Sequence, residues 1–215
     1  MKGNNMSEIT VVALDAMGGD NAPAAMVKGA VDAVNLRDDI KVILVGREGV
    51  IRDELSLYTY NEELIEIVNA TEVIETAEHP VMAIKRKKDS SMVVGLHLVK
   101  EAKADAFVSA GNSGALLTGG LGIVGRIRGI ERPPFGAIVP VKNGVVLLAD
   151  SGANVDCRPS HLVQFAKMGS IYMKDVIGIS NPKVGILNIG AEEEKGNALV
   201  KETFPLLKEC EDINF

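Results

Sequence analysis

Hydrophobic and polar positions fall into blocks whose period switches from two residues to between three and four, the pattern of strands followed by helices. Ile9 to Leu14 (ITVVAL) is an apolar, β-branched run that reads as a buried strand, and it breaks into Asp15-Ala16-Met17-Gly18-Gly19-Asp20. Pro23 suits the first turn of a helix reaching about Asn35, with Ala25, Val27, Ala30, Val31 and Val34 on its apolar side. The events repeat: a strand at Lys41 to Gly46, a helix at Arg47 to Leu57 and a third strand at Ile65 to Ala70. Such alternation predicts parallel strands joined by right-handed crossovers.

A polar segment, Ala77 to Ser91, interrupts the pattern with the basic run Lys85, Arg86, Lys87 and Lys88. Asp89-Ser90-Ser91 then offers an N-cap for a helix from Met92 to Lys100. Ala106 to Val108 is a short strand that runs into Ser109, Gly111, Asn112, Ser113 and Gly114, followed by a helical run opening at Ala115. The glycines from Gly119 to Gly125 read as close helix packing, and Pro133-Pro134 stops any helix. Phe135 to Val141 and Val145 to Ala149 flank Lys142-Asn143-Gly144, whose Asn-Gly is a hairpin signal and adds an antiparallel element. Arg158 to Lys174 is an amphipathic helix, Val184 to Leu187 a last strand, Asn188 to Asn197 its loop, and Ala198 to Lys208 a last helix. Asp212 to Phe215 reads as the opening of another strand.

Composition narrows the class. The 215 residues are 47% hydrophobic and only 4% aromatic, without Trp, so small and branched aliphatic side chains build the core, as in sheets covered by helices on both faces. A net charge of −6, with no aromatic-interleaved basic strip, argues against nonspecific nucleic-acid binding. Cys157 and Cys210 are isolated and lack metal-ligand spacing, which reads as reduced thiols of an intracellular protein. No apolar run reaches bilayer length, and the polar start lacks a signal-peptide core, so a cytoplasmic location is expected. Residues 1–8 are expected to form a disordered segment, with Met6 a second candidate start.

Four glycine-bearing loops follow predicted strands: 15–20, 109–114, 150–154 and 188–192. In a parallel sheet such loops open on one side, where ligands bind, so all four are expected to share a rim. Glycines admit close backbone approach, and helix N-termini with Ser109, Ser113, Ser151, Asn112, Asn154 and Asn188 supply neutral donors suited to phosphate. Neither a P-loop nor a dinucleotide fingerprint follows the first strand. Asp15, Asp20 and Asp150 suit either a metal or helix caps, and no metal is assigned. His79, His97 and His161 are scattered, and no nucleophile stands beside a base. Chemistry by positioning and electrostatics, one bound substrate attacking another, fits this set. The basic run reads as a solvated face or as a landing patch for phosphate or an acidic partner.

Five segments taken in order closely resemble the bacterial phosphate acyltransferase family, PlsX. They are Leu14 to Asp20, Lys87 to Met92, Ser109 to Ala115, Ala149 to Asn154 and Asn188 to Gly196, and the likeness runs from about Ile9 to Phe215, with Ser113 where many members have Thr. The resemblance implies a three-layer α/β/α sandwich over 9–215, akin to isocitrate and isopropylmalate dehydrogenases, with a mostly parallel sheet. It also implies a C-terminal continuation beyond this chain. The reaction it implies is attack of inorganic phosphate on a long-chain acyl thioester of acyl carrier protein, giving acyl phosphate, an early step of phospholipid synthesis. A homodimer, peripheral membrane association and no cofactor go with it. On that reading Ser109, Asn112, Ser113, Asn188 and Lys195 form the phosphate and oxyanion pocket, and Asp15 and Asp150 orient the donors. Gly18, Gly19, Gly111, Gly114, Asn154 and Gly190 shape it, and Lys85, Arg86, Lys87 and Lys88 meet the carrier protein. The alternatives are a dehydrogenase of related fold and a noncatalytic binder of carrier protein or membrane surface.

Overall fold

The computed structural model describes residues 9–215; the expected N-terminal segment and the choice between Met1 and Met6 lie outside the described residues. The chain divides into two compact units, one ending at Gly125 and one running from Arg126 to Phe215.

In the first unit four parallel strands, β1 (Thr10–Asp15), β2 (Ile40–Gly46), β3 (Ile65–Asn69) and β4 (Ala106–Val108), form a sheet in the order β3-β2-β1-β4. Helices α1 (Ala24–Leu36) and α2 (Glu48–Leu55) follow β1 and β2, and α3 (Pro80–Arg86) and α4 (Ser91–Lys100) precede β4. The period of two along β2 sorts its side chains. Val42 and Leu44 pack with Val27, Val31 and Ile51, whereas Ile43 and Val45 pack with Ala13, Val94 and Leu98 on the opposite face. Helices therefore cover both faces, as the aliphatic composition implied. Leu44 and Ile51 are fully buried, and each contributes about 1.5–3 kcal/mol of apolar burial.

Helix α1 buries Val27, Ala30, Val31 and Val34 as expected, but Ala25 lies in its exposed first turn. Helix α4 starts where its cap predicts, with Ser90 Oγ accepting from Val93 N–H at 3.3 Å. After β4 comes α5 (Ser113–Gly119), continued by a π turn over Gly120–Val124. The close-packing expectation holds for Gly119, where a Cβ would sit 2.4 Å from Leu96 Cδ1, and fails for Gly120 and Gly122, which face open space.

In the second unit β5 (Gly136–Val141) and β6 (Gly144–Ala149) form an antiparallel hairpin that, among the described residues, pairs only with itself, so the antiparallel element is a separate two-stranded sheet. Its turn residues are Lys142 and Asn143, while Gly144 pairs with Val141 at a φ of 118° that a side chain would resist. Helices α6 (Pro159–Asp175) and α7 (Ala198–Lys208) follow. The strand expected at Val184 to Leu187 does not form. Among the described residues a single parallel bridge, Lys183 with Asn214, is all that pairs there, and Leu187 is 84% exposed. A strand needs a neighbour to satisfy its backbone, and this segment has one only at its start.

Candidate functional site

Strand β1 is where the sheet changes direction. The chain steps outward from β1 to β2 to β3 and then returns to place β4 on the other flank of β1. The crevice beyond the carboxyl ends of two such strands is where open α/β sheets take ligands. In this sheet that position lies between the loops after β1 and β4. Register brings them together: Leu14 pairs with Val108, so the next residues, Asp15 at the end of β1 and Ser109 just past β4, stand side by side.

Asp15 is 2% exposed, and both its oxygens are used. Oδ2 accepts from Ser109 Oγ at 2.7 Å and Oδ1 accepts from Met17 N–H at 3.1 Å. Ser109 Oγ in turn accepts from Gly111 N–H at 3.1 Å, so one carboxylate orders both loops. Gly18 is dictated by this clasp, because a Cβ there would lie 2.4 Å from Asp15 Oδ2 and 3.0 Å from Ser109 Oγ. A Cβ on Gly111 would come within 3.3 Å of the Gly18 Cα, so the two backbones are nearly in contact. Gly19 adopts a φ of 102° against Ala110.

Asn112 is buried and serves as the N-cap of α5, its Oδ1 accepting from Ala115 N–H at 2.9 Å. Its Nδ2 donates to the carbonyls of Glu75, Thr76 and Glu78 at 3.3, 3.1 and 2.9 Å. The side chain is thus occupied in tying residues 75–78 to the β4–α5 loop. Ser113, the next residue, is exposed at the first position of α5, and Gly114 admits Pro80, whose Cγ would be 2.7 Å from an added Cβ. Sequence reading missed this partner segment, because carbonyl oxygens carry no residue-type signal. Pro80 opening α3 was the available hint.

The basic run is divided by the structure. Lys85, Arg86 and Lys88 are exposed, and Val81 and Met82 of α3 are each 40% exposed beside them. Lys87 faces inward, paired with the Glu78 carboxylate and donating to Val73 O at 2.5 Å. The Lys87 ammonium, with the Glu75 N–H, holds the Glu78 carboxyl below its usual range. His97 is exposed on α4, and His79 precedes α3 as its N-cap.

In the second unit Asp150 repeats the task of Asp15. Its Oδ1 accepts from Phe135 N–H at 2.6 Å and its Oδ2 from Asn154 N–H at 2.7 Å, closing the 150–154 loop around Gly152, which has a φ of 103°. Asn154 Nδ2 donates to Pro133 O at 3.2 Å. Burial, and then the Asp150 carboxylate, push the Cys157 thiol up from its ordinary value. Asn188 accepts from Ile189 N–H at 2.9 Å and donates to Lys195 O at 3.0 Å, which folds the 188–196 loop on itself and leaves Lys195 exposed. Gly190 lies against Glu192 and the Lys195 stem. His161 is a core histidine. Its Nδ1 accepts from Arg158 N–H at 3.2 Å, so Nε2 carries the hydrogen and donates to Glu131 at 3.0 Å. Among the described residues no three His, Cys, Asp or Glu side chains gather as metal ligands, and no helix is long and apolar enough to cross a membrane.

Phosphate acyltransferases of Clostridium acetobutylicum and Acetivibrio thermocellus are 53% and 54% identical over 205 residues, covering 95% of this chain and 62% and 60% of their own lengths. The chain therefore spans about 60% of the length of the curated relatives it matches. In fold it is similar to the EutD phosphotransacetylase from Staphylococcus aureus, with a TM-score of 0.67 at 19% identity over 94% of this chain and 64% of that one. A phosphotransacetylase from Streptococcus pyogenes gives 0.65 at 17% identity, over 94% and 66%. The family described as fatty acid synthesis protein matches residues 10–215. The chain belongs to that family, the PlsX-type phosphate acyltransferase family that its five motifs resemble.

Proposed function

We propose that the chain serves phosphate acyltransfer. An oxygen of inorganic phosphate attacks the carbonyl carbon of a long-chain acyl thioester carried by acyl carrier protein. The C–O bond forms, the C–S bond breaks, and the carrier thiol leaves with the displaced electron pair and takes up a proton. The products are acyl phosphate and free carrier protein. The observation that carries this reading is the Asp15–Ser109–Gly111 clasp, which holds two glycine loops nearly in contact at the crevice where the sheet changes direction. The clasp uses the Met17 and Gly111 N–H groups to fix the two loops, and a preorganised polar site of this kind can stabilise an oxyanion without a covalent enzyme intermediate. The relatives named phosphate acyltransferase give the reaction class its support.

Roles follow from what each group has left to offer. The Ser109 hydroxyl donates to Asp15, so Ser109 acts by fixing the loop, as does Asn112 through its four hydrogen bonds. The exposed Ser113 hydroxyl is the side-chain donor for phosphate or for the developing oxyanion. In the second unit Lys195 and Asn188 are given substrate-facing roles and Asp150 an orienting one. The exposed Lys85, Arg86 and Lys88, with Val81 and Met82, receive the acidic carrier protein, while Lys87 holds α3 in place. A homodimer, a cytoplasmic location with peripheral contact to the inner membrane face, and the dehydrogenase-like three-layer sandwich over 9–215 belong to the same proposal.

The test is acyl phosphate formation, trapped as hydroxamate, from acyl carrier protein thioester and phosphate by the chain extended to the family's length. Turnover that falls at least about tenfold in Ser113→Ala with little loss of stability supports the assignment. Failure of the extended, folded protein to consume thioester in a phosphate-dependent way overturns it.

A further inference from the structure

The second unit contains a cavity of about 650 Å³. Two of its walls are runs of neighbouring residues, Val145 to Leu147 of β6 and Pro182 to Leu187. Side chains of an extended segment alternate between faces, so a space touched by consecutive residues faces the segment's edge, where the backbone donors and acceptors lie.

The hairpin's register gives the phase of those groups. Pro140 has no N–H and stands opposite Val145, which makes that pair a non-hydrogen-bonded one. Alternation makes Ile138 with Leu147, and Gly136 with Ala149, non-hydrogen-bonded as well. The N–H and C=O groups of Val145, Leu147 and Ala149 therefore point away from β5, along the free edge that lines the cavity. In another wall Val184 N–H donates to Asn214 O at 2.8 Å beside the parallel bridge of Lys183 with Asn214, and a backbone continuing extended from that bridge would turn the groups of Lys183, Gly185 and Leu187 away from Asn214. Phe165 and Met173 of α6 and Leu199 and Leu207 of α7 supply an apolar lining. Ser170 Oγ, also in the lining, is buried without a hydrogen-bond partner among the described residues.

We propose that this cavity is the seat of one β-strand, inserted between β6 and residues 183–187, and that the strand belongs to the part of the family's length this chain does not span. A fatty chain or a small apolar ligand would leave two rows of backbone groups unsatisfied. A strand, needing about 4.8 Å to each neighbour, satisfies both rows at once. The relatives have the polypeptide to supply it, since the matched region is 60–62% of their length. The occupant carries apolar side chains on the face that meets α6 and α7, and its backbone brings polar atoms within reach of Ser170. It also completes the pairing that Val184 to Leu187 lacks. This inference is independent of the acyl-transfer reading.

Amide hydrogen exchange tests it, comparing the 215-residue chain with the same chain extended by the part of the Clostridium acetobutylicum relative that lies outside the match. The Leu147 and Gly185 amides should slow by about a hundredfold in the extended chain, while Val146, already bonded across to Val139, changes little. Should the extended chain not fold, the added part supplied as a separate polypeptide gives the same comparison. Equal exchange at Leu147 and Gly185 in both forms overturns the proposal. So does equal protection of the 215-residue chain at high concentration of itself, which would name a second copy as occupant, or by hexadecanoate, which would name a lipid.

Discussion

Asp15 and Ser109 are 94 positions apart in the chain, and their side chains meet at 2.7 Å. The contact follows from the parallel pairing of β1 with β4, which delivers both residues to the same edge of the sheet. Ser109→Ala removes the donor to a buried carboxylate and the acceptor of Gly111 N–H. A loss of about 1–3 kcal/mol is expected in urea unfolding, with Ser109→Thr recovering part of it.

Gly18→Ala places a methyl group 2.4 Å from Asp15 Oδ2, and the carboxylate must move. Overpacking of this kind costs about 1–3 kcal/mol, and it should abolish phosphate-dependent turnover in the family-length protein by opening the clasp. Gly29→Ala in α1, where nothing lies within 4 Å, should instead raise the unfolding midpoint. A Gly18→Ala protein as stable as the parent would show that the clasp is not close-packed.

Gly119 and Gly120 are neighbours with opposite expectations. Gly119→Ala meets Leu96 Cδ1 at 2.4 Å and should destabilise, whereas Gly120→Ala enters open space and should stabilise by about 0.5–1 kcal/mol through helix propensity. Thermal unfolding of the two variants decides, and equal shifts would contradict the packing.

Asn112→Ala deletes a helix cap and three bonds to carbonyls. A loss of about 2–4 kcal/mol is expected, together with faster proteolysis within residues 75–79. Ser113→Ala, at an exposed position, should leave both unchanged.

Acid should loosen the segment that leads into α4. The Glu78 carboxyl is held below its usual 4.5, first by the Lys87 side chain and then by Glu75 N–H. The Asp89 carboxyl is held below 3.8 by the Thr71 hydroxyl and N–H. A depressed folded-state value stabilises above the unfolded value and is lost as pH falls through the folded one. Protection of residues 71–89 should therefore hold above pH 4.5 and decline below it, and Lys87→Met should remove the part due to Glu78. Acid titration followed by hydrogen exchange reads both.

Much of the fold was legible because its signals are local. Strand β4 and helix α7 begin and end where the pattern of apolar residues predicts, and the cap of α4 was recognised within Asp89-Ser90-Ser91 from residue type and place. The part hidden from the sequence depends on distant backbone. Nothing in the sequence around Asn112 names the carbonyls of residues 75–78, and the run Lys85 to Lys88 gives no sign that Lys87 alone turns inward. Val184 to Leu187 has a strand's composition and lacks a strand's neighbours, so composition and outcome part company there. The shared rim of four loops was expected from topology. Within the first unit the loops at Gly18 and Asn112 do lie together, and the loops at Asn154 and Gly190 belong to the second.

The three carbonyls gripped by Asn112 make the entry to α3 and the turn after β4 a single mechanical body. The segment that leads into α3, a helix whose Val81, Met82, Lys85 and Arg86 stand in solvent, is one amide away from the peptide groups beside Gly111. The two loops that meet at Gly18 and Gly111 are thus moored to α3 as well as to the sheet.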